Sequence, residues 1–217
     1  MSKKTIKAIN RSIITHGDKK VSIIIPKDVH PSIAGYDDGK GTIEIFANGT
    51  GYEFLKDIFA CAMELKENSF IYLPIKHNTH RVYREILEEE KHNYNLNLIF
   101  INYHSFKANA KDIISLIRTK IFQDSLIEIN VNYPNKEPDF WKKSKKLTVK
   151  RVSDNIILSS NRDIYASLCN SASDLSEYGD DIENNKYPPH HHFDWREPTS
   201  KSDGITLYYE HDESYNI

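Results

Sequence analysis

Asn155-Ile156-Ile157-Leu158-Ser159-Ser160-Asn161 opens a stretch, running on to His211, whose pattern the chain contains twice. An apolar strand, Ile156-Ile157-Leu158, turns at Ser159-Ser160-Asn161. An amphipathic helix follows, with Tyr165, Leu168, Cys169, Ala172 and Leu175 on one stripe, which is helical rather than strand spacing. Next come an acidic polar loop, a histidine-rich strand His190-His191-His192-Phe193-Asp194-Trp195, and a last strand Ile205-Thr206-Leu207-Tyr208-Tyr209-Glu210. Upstream, Ile43-Glu44-Ile45-Phe46-Ala47-Asn48 is again a strand ending at an Asn, and the helix from Gly51 to Lys66 again carries a Tyr and a Leu. With no gap, Ile43, Asn48, Tyr52 and Leu55 fall on Ile156, Asn161, Tyr165 and Leu168. Thr50-x-x-Glu53 and Ser160-x-x-Asp163 read as capping boxes that start the two helices. The expectation is a diverged duplication.

Working outward, Val21 to Pro26 fits a strand, and residues 1 to 20 read as polar and loosely held, with a short strand at Ile13-Ile14 at most. His30 to Gly41 reads as a loop, punctuated by Pro31, Gly35, Gly39 and Gly41. After the first repeated helix, Phe70 to Ile75 is a predicted strand, Thr79 to His92 a charged helix and Leu96 to Tyr103 a strand. Ala108 to Phe122 is a further helix, with Ile113, Ile114, Ile117 and Ile121 in register, and Leu126 to Tyr133 a further strand. Leu147 to Val152 leads into the second unit. Alternating helices and strands predict an α+β fold, with α/β as the alternative: mixed sheets, helices on one face, and two related strand–helix–strand–strand units. The units are expected at residues 1–135 and 146–217, with a seam at 132–146.

A length of 217 residues, hydrophobic content of 39% and 28% charged residues fit a globular chain with a cooperative core. Thirteen Tyr and nine Phe argue against broad disorder. The apolar runs are strand-sized, far short of a membrane span, and polar residues follow the basic start where a signal peptide needs its apolar core. A cytoplasmic protein is expected, with Cys61 and Cys169 as buried reduced thiols. The net charge of −2 hides a polarity: residues 1 to 40 carry eight Lys or Arg against four acids, and from Asp174 onward eleven acids face three Lys or Arg. The acidic end suits a basic partner and repels nucleic acid. Lys142-Lys143-x-Lys145-Lys146 is too short and too poor in aromatics for a nucleic-acid platform.

Chemistry narrows to few residues. On a strand His190, His192 and Asp194 face one way, and Phe193 and Trp195 the other, toward a core with Ile205, Leu207 and Tyr209. The first face would show His190, His192, Asp194, Thr206, Tyr208 and Glu210. Two His and a carboxylate on one face are a possible metal set, which keeps a metal-dependent hydrolase as one alternative, beside a structural adaptor domain within a larger assembly. The chain has no HExxH, CxxC or Gly-x-Ser-x-Gly, and Gly35 to Thr42 lacks the spacing and following helix of a phosphate loop. His77-Asn78-Thr79-His80 reads as a helix cap. No cofactor is expected.

The order strand, Asn turn, Leu-striped helix, His strand ending in an acid, and final strand resembles the immunity protein 32 family of bacterial polymorphic-toxin systems. Ile156 to Asn161, Tyr165-x-x-Leu168, His190-His191-His192-Phe193-Asp194 and Ile205-Thr206-Leu207-Tyr208 carry the likeness. It covers the last sixty or so residues well and Ile43 to Phe70 faintly; Phe70-Ile71-Tyr72-Leu73 stands where the first unit should have its His strand. The resemblance implies a cytoplasmic protein that binds and neutralises a cognate toxin domain without catalysis. Charge and strand parity nominate the partner-binding residues Asp180, Asp181, Glu183, His190, His192, Asp194, Trp195, Tyr208 and Glu210.

Overall fold

The computed structural model describes residues 4–15, 18–37, 42–78, 95–134, 147–177, 190–193 and 204–209. The chain opens on strand β1 (Thr5–Ile14), which returns as β2 (Lys20–Pro26) in an antiparallel hairpin with Ile9 opposite Ile25. By its residue pattern this region offers a strand only at Ile13-Ile14. Its polar residues hide the strand, yet the ladder carries it, because β1 lies between β2 and β7 (Gln123–Asn130), where Arg11 forks onto Asp124 with two 2.9 Å bonds. A second short strand, β3 (Ala34–Asp37), lies inside what reads as a loop and pairs with β4 (Thr42–Ala47). Helix α1 (Gly49–Met63) follows, then β5 (Ser69–Leu73), β6 (Asn97–Asn102) and α2 (Ala110–Arg118). Strands β8 (Thr148–Val152) and β9 (Asn155–Ser160), helix α3 (Arg162–Glu177), and strands β10 (His190–Phe193) and β11 (Gly204–Tyr209) complete the described chain. The predicted helix at Thr79 to His92 and most of the seam, residues 135–146, lie outside the described residues. No helix among the described residues is long and apolar enough to cross a membrane.

The fold is α+β. Seven strands form one mixed sheet in the order β7-β1-β2-β5-β6-β9-β8, and four form another in the order β10-β11-β4-β3. Alternation on the strands divides the apolar residues. Ile71, Leu73, Leu98, Phe100, Ile156 and Leu158 of the large sheet turn to the same core as Ile43, Ile45, Ile205, Leu207 and Phe193 of the small one. The packed pair α1 and α3 belongs to that core. Within it the Phe100 ring meets Phe59 edge-on at 5.4 Å and Tyr165 edge-on at 6.5 Å. On the other face of the large sheet, Ile99, Ile101, Ile157, Phe70 and Ile23 pack with Phe106, Ile113 and Ile114 of the α2 region. Helices therefore cover both faces of the large sheet, with the repeated pair together on one of them. Helix α2 ends at Arg118, before Ile121, which is 87% exposed rather than on the apolar stripe.

The two repeated units interlock. Order β3-β4-α1-β5-β6 recurs as β8-β9-α3-β10-β11. The pairings recur with it: β3 on β4 and β8 on β9 are antiparallel, β5 on β6 and β10 on β11 are antiparallel, and β6 on β9 and β11 on β4 are parallel. Register agrees residue for residue: Tyr208 faces Phe46 as Ile101 faces Ser159, and His191 faces Leu207 as Ile71 faces Phe100. The small sheet and the β5-β6-β9-β8 part of the large one are thus the same object, each built from the last two strands of one unit and the first two of the other. Phe70-Ile71-Tyr72-Leu73 stands in the place of His190-His191-His192-Phe193.

Local chemistry repeats too. The helix caps are Asn48 and Asn161, rather than Thr50 and Ser160: their side-chain oxygens accept from the backbone N–H of Gly51 at 2.8 Å and Ile164 at 3.1 Å. The Asn stands outside the first turn, where its short side chain reaches the free amide three residues on. Tyr52 and Tyr165 are fully buried. Each hydroxyl shares its proton between two carbonyls on neighbouring parallel strands. For Tyr52 these are Ile45 at 3.1 Å and Tyr208 at 2.7 Å; for Tyr165, Leu158 and Ile101, both at 3.0 Å.

Candidate functional site

The outer face of the small sheet carries the histidines. Register sets two rows across it, His190–Tyr208–Phe46–Ala34 and His192–Thr206–Glu44–Tyr36. Strand parity is as the alternation predicts: Phe193, Ile205, Leu207 and Tyr209 are buried in the core, while His190 and His192 are exposed on the opposite side. The rings form a ladder. Phe46 and Tyr208 stack at 4.7 Å with planes 5° apart, His190 stacks on Tyr208 at 5.3 Å, and His192 meets His190 edge-on at 4.6 Å. His192 Nδ1 lies 3.0 Å from Thr206 Oγ1, which holds the imidazole against the strand. Among the described residues of this face His190 and His192 are exposed, Glu44 and Tyr208 are half-buried, and Thr206, Phe46 and Tyr36 are buried.

Of the nominated partner-binding residues, the structure brings together His190, His192 and Tyr208. Asp180, Asp181, Glu183, Asp194, Trp195 and Glu210 lie outside the described residues. Among the described residues no group of three or more His, Cys, Asp or Glu is placed to hold a metal ion; Asp194, the third member of the candidate metal set, is not among them.

Two further clusters escaped the sequence reading. Ser32 Oγ lies 2.8 Å from His30 Nδ1, and Thr50 Oγ1 lies 3.1 Å from His30 Nε2. A Ser–His contact at a helix start looks like an activated nucleophile. Ser32 is fully buried, however, and its hydroxyl donates to Asn48 Oδ1 at 2.8 Å. A Cβ on Gly51 would stand 2.2 Å from Ser32 Oγ, so the space above the hydroxyl is taken by backbone. This network orders the cap of α1. The second cluster surrounds Asp57, a buried carboxylate on α1 that binds Lys4 Nζ at 3.0 Å and accepts from the Tyr133 hydroxyl at 2.5 Å. Burial, then the bond to Asp57, raises the Tyr133 pKa. This carboxylate fastens the segments flanking β1 and β7 to the helix.

Cys61 and Cys169 are free and buried. Burial pushes each thiol up to about 12, with the Asp57 charge adding to the rise. Both are protonated near neutral pH and make poor nucleophiles.

No family model matches this chain, and comparison with characterised proteins and with solved structures returns no match.

Proposed function

We propose that this chain is an immunity protein, which binds a cognate bacterial toxin domain in the cytoplasm of the producing cell and covers that domain's active or binding surface without turnover. The observation that supports this reading is the ring ladder His192–His190–Tyr208–Phe46, exposed at its histidine end. Its rings are already in contact and one imidazole is already tethered, so little side-chain freedom remains to be lost on association. Tyrosine, here the half-buried Tyr208, is among the residue types that dominate protein interfaces. In the sequence, acidic residues flank the ladder: Asp180, Asp181 and Glu183 precede it, Asp194 follows β10 and Glu210 follows β11. Such a set suits a basic partner and speeds its approach, as expected for the inhibitor of an enzyme with a basic active site.

The test is calorimetric titration of the toxin domain encoded beside this gene. His190→Ala with His192→Ala should weaken binding roughly tenfold or more, the loss of about 1.4 kcal/mol or more expected when interface rings are truncated. The melting temperature should hold, because both side chains point to solvent. Reversing Asp180, Asp181 and Glu183 to Lys should weaken binding at low salt and less at high salt. Unchanged affinity in the double His variant rejects this face as the docking surface. Stoichiometric zinc or manganese in the purified protein would turn the reading toward metal chemistry.

A further inference from the structure

We infer that the large sheet carries a second, separate site: a groove that takes a small amphiphilic anion, an apolar body with one carboxylate or phosphate head. The groove lies on the face that α2 covers, between the segment leading into α2 and the edge strand β8, and has a volume of about 540 Å³. That is within the roughly 300–1,000 Å³ typical of small-molecule sites. Ile101 and Ile157 of the sheet, with Phe106 and Ile113 of the α2 region, give it an apolar interior. Lys107, before α2, and Lys150, on β8, line it as well. Both lysines are exposed, and neither forms an ion pair among the described residues, whereas neighbouring Arg151 is paired with Asp37 and Lys76 with Asp154.

The internal repeat shows how the hollow arises. Ile101, Ser159 and Lys150 of the large sheet occupy the positions of Tyr208, Phe46 and Tyr36 in the small one. In the small sheet those positions hold three rings packed as one cluster with Ala34. In the large sheet a hydroxymethyl, a branched alkyl group and an ammonium replace them. The space that Phe46 and Tyr208 fill in one copy is open in the other, with positive charge at its side. A ligand that fits must supply the missing apolar bulk and carry an anionic group for the lysines.

Fluorescence titration of the full chain with anilinonaphthalene sulfonate, an aromatic anion, tests this. One saturable site is expected, weakened roughly tenfold by Lys107→Glu and by Lys150→Glu, the factor that one charge-assisted hydrogen bond carries. Ser159→Phe installs the ring its counterpart position already accommodates, and should abolish binding with the circular dichroism spectrum unchanged. Should that variant fail to fold, Lys150→Glu decides, since its side chain is exposed. Competition with decanoate and with decyl phosphate distinguishes a carboxylate from a phosphate head. Binding that Lys150→Glu leaves intact, a folded Ser159→Phe chain that binds like the parent, or displacement by neither competitor overturns the inference.

Discussion

Tyr52 and Tyr165 each set a phenol hydroxyl where a strand of one unit meets a strand of the other. A buried hydroxyl between two backbone carbonyls is worth about 1 kcal/mol net, and its removal leaves lone pairs short of a donor in a dry core. Tyr52→Phe and Tyr165→Phe should therefore each lower stability by about 1–2 kcal/mol in urea denaturation, with no loss of apolar burial. The two hydroxyls donate to different pairs of carbonyls, so the double variant should lose about the sum. A loss confined to one of the two would show that the repeats do not carry equal weight at their seams. Spacing alone aligned these tyrosines in the sequence, but not the reason for them: nothing local tells that the second carbonyl comes from the other half. The orientation of His190 and His192 was legible, because a two-residue period fixes which way a strand's side chains point. The hollow beside Lys150 was not, because small residues and distant strands make it.

At the level of elements, the duplicated helices were the easiest to read. Their apolar stripes and the gapless correspondence of Asn48, Tyr52 and Leu55 with Asn161, Tyr165 and Leu168 survive in the structure as matching caps and matching hydrogen bonds. Strands β1 and β3 were hard to read for opposite reasons. The first mixes Lys7, Asn10, Arg11 and Ser12 with its apolar residues near the sheet's edge, and the second is four residues long beside glycines. Gly35 earns its place in β3 by contact: a Cβ there would stand 2.8 Å from Leu98 Cδ2 and 3.0 Å from the Leu96 carbonyl, where the small sheet touches the large one. Asn161→Ala should cost about 1 kcal/mol of stability, the usual effect of losing an Asn cap. Asn48→Ala should cost up to about 2 kcal/mol, because the Ser32 and Thr50 hydroxyls lose their acceptor together with the Gly51 amide. Thermal melts of the two variants give the comparison; equal or negligible shifts would mean that the hydroxyl network around His30 does not depend on Asn48.

For the whole molecule, interleaving decides how the parts depend on each other. Each four-strand set joins the halves through one parallel pair, β4 with β11 and β6 with β9. Parallel partners are not announced by any turn between them, so a sequence that displays two repeats says nothing about which strands cross over. A chain cut between residues 135 and 146 should give two fragments that lack a cooperative transition when separate and recover it when mixed; cooperative unfolding of either fragment alone, followed by urea denaturation, would contradict the shared sheets. The same arrangement has a bearing on synthesis. Strand β4 leaves the ribosome long before Gly204 to Tyr209 is translated, and with only β3 beside it one edge of its backbone stays open. During that interval the apolar side of β4 is exposed to other nascent chains, an aggregation hazard that slow translation of the intervening residues would prolong.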